Sequence, residues 1–447
     1  MAQSGGAGAV EEHGLPDSGA SDLIRGQSLV PMLLGTPTEA TAPGVRVALT
    51  DNVLSVTVAS HHLYVHVPFC RLVCAYCDFV TVGGRAHDIP RYVDALLLEL
   101  AMRPARGELR TIYFGGGTPS LLPTAEVARV VEAASERWDC VALEEVTLEA
   151  NPSGREAPEW AGLRAAGVTR ISLGIQSLRD DDLRALARGH TAAEGVAAYR
   201  AARAARFDNI SVDLIYGIPG QGVDAWCDGL RATVELGPDH LSLYALQVAL
   251  EPDEWAASPR PGALRWRRGI AARQDDELAA DQYRAAEEIL GAAGYVHYEL
   301  SSWARPGRES RHNSAYWERR AYTGIGAGAH SYDGGAIRSW NRRDLDGYLE
   351  VAQAGERPEA GHETLDEPTR AFEAMALGLR RVGGFSRRGF AVEFGSDPLD
   401  RYAEGLSESF TNSLLEQDGD LVRLSDSGRL LASEVLAALV PIPVASR

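Results

Sequence analysis

From about residue 62 the chain alternates short β-rich runs with amphipathic stretches of helical period, and this rhythm limits the folds open to it. Strands are expected at Leu63 to Phe69, Thr111 to Phe114, Glu145 to Glu149, Arg170 to Ile175, Asn209 to Tyr216 and His240 to Leu246. Helices are expected between them, at Pro90 to Met102, Ala125 to Glu136, Ala192 to Ala205 and Val223 to Leu236. The strand runs read as near-continuous apolar segments, the pattern of parallel strands buried on both faces. Strand, helix and strand repeated in this way imply right-handed βαβ units. Six units are too few to close an eight-stranded barrel. The expected fold is therefore α/β, a partial (β/α)6 barrel, with a doubly wound sheet as the alternative.

Residues 1–45 are rich in Gly, Ala, Ser, Pro and Glu without a sustained period, and read as a disordered tail. Residues 46–290 hold the expected barrel core; a hydrophobic content of 45% suffices to bury one. A helix at Ala279 to Ala293 leads into a linking segment, 291–360, with an extended run at Tyr295 to Trp303 and a Gly-rich stretch at Gly324 to Gly328. Residues 361–447 form a further domain. Helices at Pro368 to Arg380 and Leu399 to Leu415, a strand at Asp420 to Leu424 and a helix at Asp426 to Leu439 suggest a small, α-rich, winged-helix-like unit.

The net charge is -18, and all 44 basic residues are arginine. That bias reflects codon usage more than function. A chain this acidic is a poor non-specific nucleic-acid binder, and the pairs Arg267-Arg268 and Arg342-Arg343 read as solvated surface. No apolar run is long enough to span a membrane. The N-terminus lacks a basic n-region and apolar h-region, so the expected compartment is the cytoplasm, with peripheral membrane contact left open.

Five cysteines are present, three of them crowded into His66-Val-Pro-Phe-Cys70-Arg-Leu-Val-Cys74-Ala-Tyr-Cys77-Asp-Phe79. A C-x3-C-x2-C loop directly after a strand is a metal signal, not a disulfide framework. Soft thiolates suit an iron-sulfur cubane. Three ligands leave one iron open, which S-adenosylmethionine (SAM) could chelate through its amino and carboxylate groups. The alternative is structural zinc, with His66, Asp78 or His87 as fourth ligand. Cys140 and Cys227 stand alone and read as inert thiols.

Other chemistry-bearing residues fall near the ends of later strands. Gly115-Gly116-Gly117-Thr118-Pro119 lets backbone approach a ligand and offers N–H groups. Glu149, in Glu149-Ala-Asn151-Pro152, could accept hydrogen bonds from a ribose. Gln176 ends the fourth strand, Arg188 follows it, and Asp213 lies within an apolar strand where an unpaired carboxylate would be costly. Each has a bland structural reading on its own. Together, Cys70, Gly116, Glu149 and Gln176 mark the C-terminal ends of four strands, the face that carries active sites in β/α barrels.

Pro68-Phe69-Cys70, with Cys74-x-Tyr76-Cys77-Asp78-Phe79, resembles the radical SAM signature of the coproporphyrinogen dehydrogenase (HemN) and HemW group. The resemblance runs from about Leu63 to Leu439. It implies a [4Fe-4S] cluster on Cys70, Cys74 and Cys77, and SAM contacts at Tyr64, Gly116, Gly117, Thr118, Glu149, Gln176, Arg188 and Asp213. The group usually has Gly where Ala187 stands, and little consequence is expected.

Two functions compete within the resemblance. One is oxygen-independent coproporphyrinogen III dehydrogenase, an oxidative decarboxylase. The other is a heme chaperone that binds heme and delivers it to apo-hemoproteins. The dehydrogenases carry a fourth cysteine where this chain has Phe79. Arg311-His312-Asn313-Ser-Ala-Tyr316-Trp317 resembles the HNxxYW motif of the chaperones, which implies heme contacts at His312, Asn313, Tyr316 and Trp317. A histidine can ligate heme iron and aromatics can pack on the porphyrin; a capped or surface role is the other reading of His312. Gly324-Ile-Gly326-Ala-Gly328-Ala329-His330-Ser331 matches the same group. Arg423 to Ser433 resembles the LTxxGRLLxN ending of both subfamilies, with Ser433 in place of Asn. The chaperone reading is preferred, and no catalytic residue is assigned.

Overall fold

The structure, a computed structural model, describes residues 60–138, 140, 142–154, 158–248 and 262–439. The tail expected at 1–45 lies outside the described residues. All six expected strands are present: β1 (Ser60–Val67), β2 (Glu108–Gly116), β3 (Glu145–Ala150), β4 (Arg170–Gln176), β5 (Ile210–Tyr216) and β6 (His240–Ala245). The connecting helices are α1 (Ile89–Met102), α2 (Thr124–Arg137), α3 (Trp160–Ala165), α4 (Ala192–Ala204) and α5 (Val223–Leu236). Their ends are set locally. Thr191 and Glu194 form a capping box at the start of α4, and Gly237, at φ 74°, ends α5 in the left-handed region.

The six strands are parallel and lie in chain order across the sheet. A doubly wound sheet reverses its order at a switch point. Here there is no reversal, so crossovers of one hand put every helix on the same face, and the sheet curls around the other. The fold is a partial (β/α)6 barrel.

The strands are not apolar on both faces. Leu63, Val65, Ile112, Phe114, Leu148, Ile171, Leu173, Val212 and Leu241 join the core under the helices. Their neighbours Tyr64, Tyr113, Glu149, Ser172 and Asp213 line the interior cavity. This is period-two alternation, visible in Glu-Val-Thr-Leu-Glu-Ala and Arg-Ile-Ser-Leu-Gly-Ile-Gln. The expectation of continuous apolar strands is corrected: the inner face surrounds a polar cavity instead of a second core.

Helix α6 (Asp276–Ala292) leads into segment 291–360, which extends the sheet at both edges. β7 (Val296–Glu299) and β8 (Ser302–Ala304) add antiparallel strands beyond β6. On the other edge β9 (Tyr322–Ile325) pairs parallel to β1, and a meander follows: β10 (His330–Tyr332), β11 (Ile337–Asn341) and β12 (Glu359–Thr364). The resulting twelve-stranded sheet ends at β12 and β7, which do not pair, so the barrel is open. Buried Glu99 of α1 ties this edge together. It accepts from Arg103, Asn341, Tyr348 and the Gly326 N–H at 2.7–3.0 Å.

The C-terminal domain has its own core, with Phe372, Met375, Leu379, Phe390, Leu406, Val422 and Leu436. Helix α7 (Arg311–Trp317) lies on the barrel; α8 (Glu367–Arg380) and α9 (Ala403–Thr411) pack here with a sheet of order β13 (Phe385–Ser386), β15 (Leu421–Leu424), β14 (Leu415–Asp418). The expected final helix breaks at Leu431 into Asp426–Leu430 and Ala432–Ala437. Helices with a small antiparallel sheet match the α-rich, winged-helix-like expectation. No helix among the described residues is long and apolar enough to cross a membrane.

Candidate cofactor site

The loop after β1 carries Cys70, Cys74 and Cys77 to the C-terminal mouth of the barrel, where they line a cavity of about 880 Å³. Short pairing between Phe69–Cys70 and Val82–Gly83 closes the loop, and His66 Nε2 meets Val80 O at 2.7 Å. Burial holds the His66 ring down at about 4, so it is neutral at pH 7. Arg267 grips the loop from outside. Its guanidinium donates to Ala75 O at 2.9 Å, Cys77 O at 3.0 Å and Asp78 Oδ1 at 2.6 Å, and the residue is 4% exposed. The expectation of a solvated Arg267 is therefore corrected: a cationic clamp on three loop acceptors looks like any other arginine in sequence.

The thiols sit in a charged setting. Arg188 Nη1 lies 3.2 Å from Cys74 Sγ, and Thr118 Oγ1 donates to Cys70 Sγ at 3.4 Å. Burial, then the neighbouring Cys74 and Cys70, push the Cys77 thiol well above its ordinary value. Three thiolates can share this space only with a cation among them. The expected zinc ligands are committed elsewhere: His66 to Val80, Asp78 to Arg267, and His87 beside Asp88 at 3.6 Å. Among the described residues no three of His, Cys, Asp and Glu converge to hold a single metal ion. A cubane asks for something different, because each thiolate takes a separate corner. The donor set fits a [4Fe-4S] cluster.

The glycine motif serves a packing purpose. A Cβ on Gly117 would lie 2.8 Å from the Pro68 and Phe69 backbone, and Gly116 has φ 114°. The N–H groups of Gly116, Gly117 and Thr118 go to Glu149 Oε2 (3.1 Å), Val67 O (2.8 Å) and Phe69 O (2.8 Å). The expectation of free N–H groups is thus corrected; the cysteine loop and Glu149 consume them.

Glu149 also accepts from Tyr113 Oη at 2.8 Å. Burial, reinforced by Asp213, pushes its carboxyl up to about 7. Asp213 is also raised by burial, although Ser172 and Ser211 hydroxyls reach it at 3.0–3.3 Å. Tyr64 stacks on Tyr113 with ring centroids 6.2 Å apart. Gln176 sits at φ 67°, and its buried Oε1 has no partner among the described residues. Arg188 bridges Cys74, Tyr76, Asn151 and the Gly174 carbonyl at 2.9–3.3 Å, while its Nε has none among them. Ala187 has φ 54°, the left-handed region. The group's glycine there has a backbone reason, so the substitution carries strain. The eight expected SAM-contacting residues all lie on this cavity, and Gln176 and Arg188 leave polar atoms for a ligand.

The HNxxYW segment divides. Asn313, Tyr316 and Trp317 line the cavity, and so does Phe79. His312 does not. It is 0% exposed, with Nδ1 2.6 Å from Thr111 Oγ1 and Nε2 2.8 Å from Tyr316 Oη. The expectation that its ring meets a heme iron is corrected: both nitrogens are engaged, and burial keeps the ring neutral.

Sequence reasoning missed several wall residues. Arg380 and Glu299 enter from α8 and β7, and Tyr244 from β6. Ser427 to Glu434 of the C-terminal ending also line the cavity, held there by Arg429, which donates to Glu287 Oε1 at 2.8 Å. The only sequence signal for that last segment was its resemblance to the shared ending.

The sequence model of the Radical SAM superfamily matches residues 64–230, and that of the HemN C-terminal domain matches residues 365–431. Among curated proteins, the heme chaperone HemW of Mycobacterium tuberculosis is 37% identical over 386 residues, covering 85% of this chain and 94% of that protein. Those of Lactococcus lactis (35%, covering 83% and 95%) and Escherichia coli (33%, covering 84% and 96%) are similar over a comparable span. Among solved structures, the Escherichia coli coproporphyrinogen III oxidase HemN, described as a radical SAM enzyme, superposes with a TM-score of 0.71 at 23% identity, over 86% of this chain and 90% of that one. That likeness speaks to fold.

Proposed function

The chain belongs to the family of the heme chaperone HemW, and from that premise we propose that it binds heme in the barrel mouth and delivers it to apo-hemoproteins. Its radical SAM domain brings a [4Fe-4S] cluster and SAM. The observation that carries the reading is one shared cavity: the cysteine loop forms one part of its wall, and Asn313, Tyr316 and Trp317 form another. Phe79 supports it, standing where the dehydrogenases carry a further cysteine.

In this reading Cys70, Cys74 and Cys77 hold the cluster and Arg267 fixes the loop that presents them. When bound and reduced, the cluster supplies one-electron chemistry at the SAM sulfonium. The chain's own residues bind and orient. With the N–H groups of Gly116 and Gly117 already used, their carbonyls are the groups left to accept from an amino group. Glu149 and Asp213 accept from hydroxyls, Gln176 Oε1 takes a donor, and Arg188 takes a carboxylate. Tyr64 and Thr118 complete the wall. Tyr316 and Trp317 pack on the porphyrin and Asn313 offers its amide, while His312 positions Tyr316 from below. Thiol clusters that hold metal belong to a reducing compartment, and we place the chain in the cytoplasm.

The test is an anaerobic reconstitution followed by two titrations. With heme, a Soret band should develop and saturate. With coproporphyrinogen, SAM and reductant, no decarboxylated product should form. Product at a useful rate would transfer the chain to the dehydrogenase reaction.

A further inference from the structure

Where α7 meets α8 the cavity wall contains three hydrogen-bond donors that no described residue satisfies. Arg380 is 2% exposed, and its Nη2 donates to Glu299 Oε2 at 3.1 Å. Its Nε and Nη1 are buried and have no partner among the described residues. Its guanidinium carbon lies 4.4 Å from the centroid of the Trp317 ring. Trp317 Nε1 is also buried and unpartnered. Both side chains line the cavity.

A buried donor left unmade bears its full desolvation cost, and native interiors carry few of them. Three on two touching side chains mark a place fit for an acceptor that no described residue supplies. The acceptor's chemistry follows from the donors. Arg380 is a permanent cation with five N–H groups, of which Glu299 engages only Nη2. Trp317 adds a neutral N–H from a planar aromatic. A carboxylate attached to a flat, apolar ring system satisfies both requirements: its oxygens take the donors and its ring lies along the indole.

We propose that Arg380 and Trp317 form a carboxylate receptor that anchors a propionate of the bound porphyrin. The proposal rests on the heme reading and adds which end of the ligand this wall holds. The indole lies against the guanidinium, so one ligand group can meet both sets of donors.

The test compares heme with its dimethyl ester, in which both propionates are masked, on the reconstituted full-length protein by absorbance titration. Wild type should bind heme about tenfold more tightly than the ester, the gain expected of a charge-assisted hydrogen bond. Arg380→Gln should weaken heme by about that factor, leave the ester unchanged and so abolish the preference. Trp317→Phe keeps the ring and loses the N–H; it should lower heme affinity about threefold with the ester unaffected. Equal affinity of wild type for the two ligands would overturn the proposal while leaving heme binding intact. So would a preference that survives in both variants, or equal weakening of both ligands by Arg380→Gln. If Arg380→Gln does not fold, the wild-type pair and Trp317→Phe still decide. Binding of neither ligand by wild type would sink the heme reading and this proposal with it.

Discussion

The floor of the barrel and its mouth are built from the same strands, yet their polar groups are used in opposite ways. At the floor, His62, Thr111, His312 and Tyr316 form a chain of contacts at 2.6–2.8 Å. Glu145 accepts the Arg311 and His312 N–H groups that open α7, at 3.1–3.2 Å, and His240 lies 2.8 Å from both Ser211 and Tyr298. The Nε of Arg170 and the Oγ1 of Thr147 are exceptions on this inner face, without a partner among the described residues. At the mouth, Gln176, Arg188, Trp317 and Arg380 each keep at least one buried polar atom without a partner among the described residues. A closed network specifies packing. Leftover donors and acceptors in a cavity specify a ligand. By this criterion a histidine in a ligand motif belongs to the architecture, and an arginine outside any motif belongs to the site.

The sharpest way to break the contrast is at the cysteines. Cys74→Ala should lose nearly all cluster iron and acid-labile sulfide, while Cys140→Ala, away from the cavity, keeps both. Equal loss in the two variants, or stoichiometric zinc without sulfide in wild type, would remove the ligand assignment.

A floor residue should behave differently. His312→Ala strands the hydroxyls of Thr111 and Tyr316 and opens a void, at a cost of about 2–4 kcal/mol in denaturant unfolding. Heme bound to that variant should keep the wild-type Soret position. A shifted band would return His312 to the iron.

Glu149 tests the mouth by pH. Its carboxyl stands at about 7 in the folded chain against 4.5 in an exposed one. The folded state therefore holds the proton more tightly, and stability should be fully present below about 4.5 and decline as pH rises to about 7. Water entering the cavity keeps the change below about 3 kcal/mol. Glu149→Gln should flatten the cofactor-free profile, and an unchanged slope would show that the carboxylate is well solvated. The smallest effect belongs to Ala187, where Ala187→Gly should add about 1 kcal/mol by relieving the left-handed backbone. No gain in melting temperature would mean the strain is absorbed elsewhere.

Much of the barrel was legible because local rules wrote it. The six strands and, of the helices between them, α1, α2, α4 and α5 follow hydrophobic period, and the cysteine loop follows spacing. What escaped depended on contacts between distant residues. Arg267 reaches a loop nearly two hundred positions away, and Arg380 meets Glu299 across two domains. β9 to β12 are short and irregular, and β9 owes its place to pairing with β1. The polar inner face was written in the alternation of β3, β4 and β6, but a buried sheet invites the assumption that both of its sides are dry. His312 was misjudged for a related reason: a motif names a residue without saying which way its ring turns.

Residues 427–434 close the cavity wall, and they lie at the far end of the chain from the cysteines they face. During synthesis the cysteine loop emerges well before this panel. A nascent chain thus has its thiols accessible through an unfinished chamber, and only a finished one can enclose a guest. The order of residues along the polypeptide leaves the thiols open to loading before the vessel can be sealed.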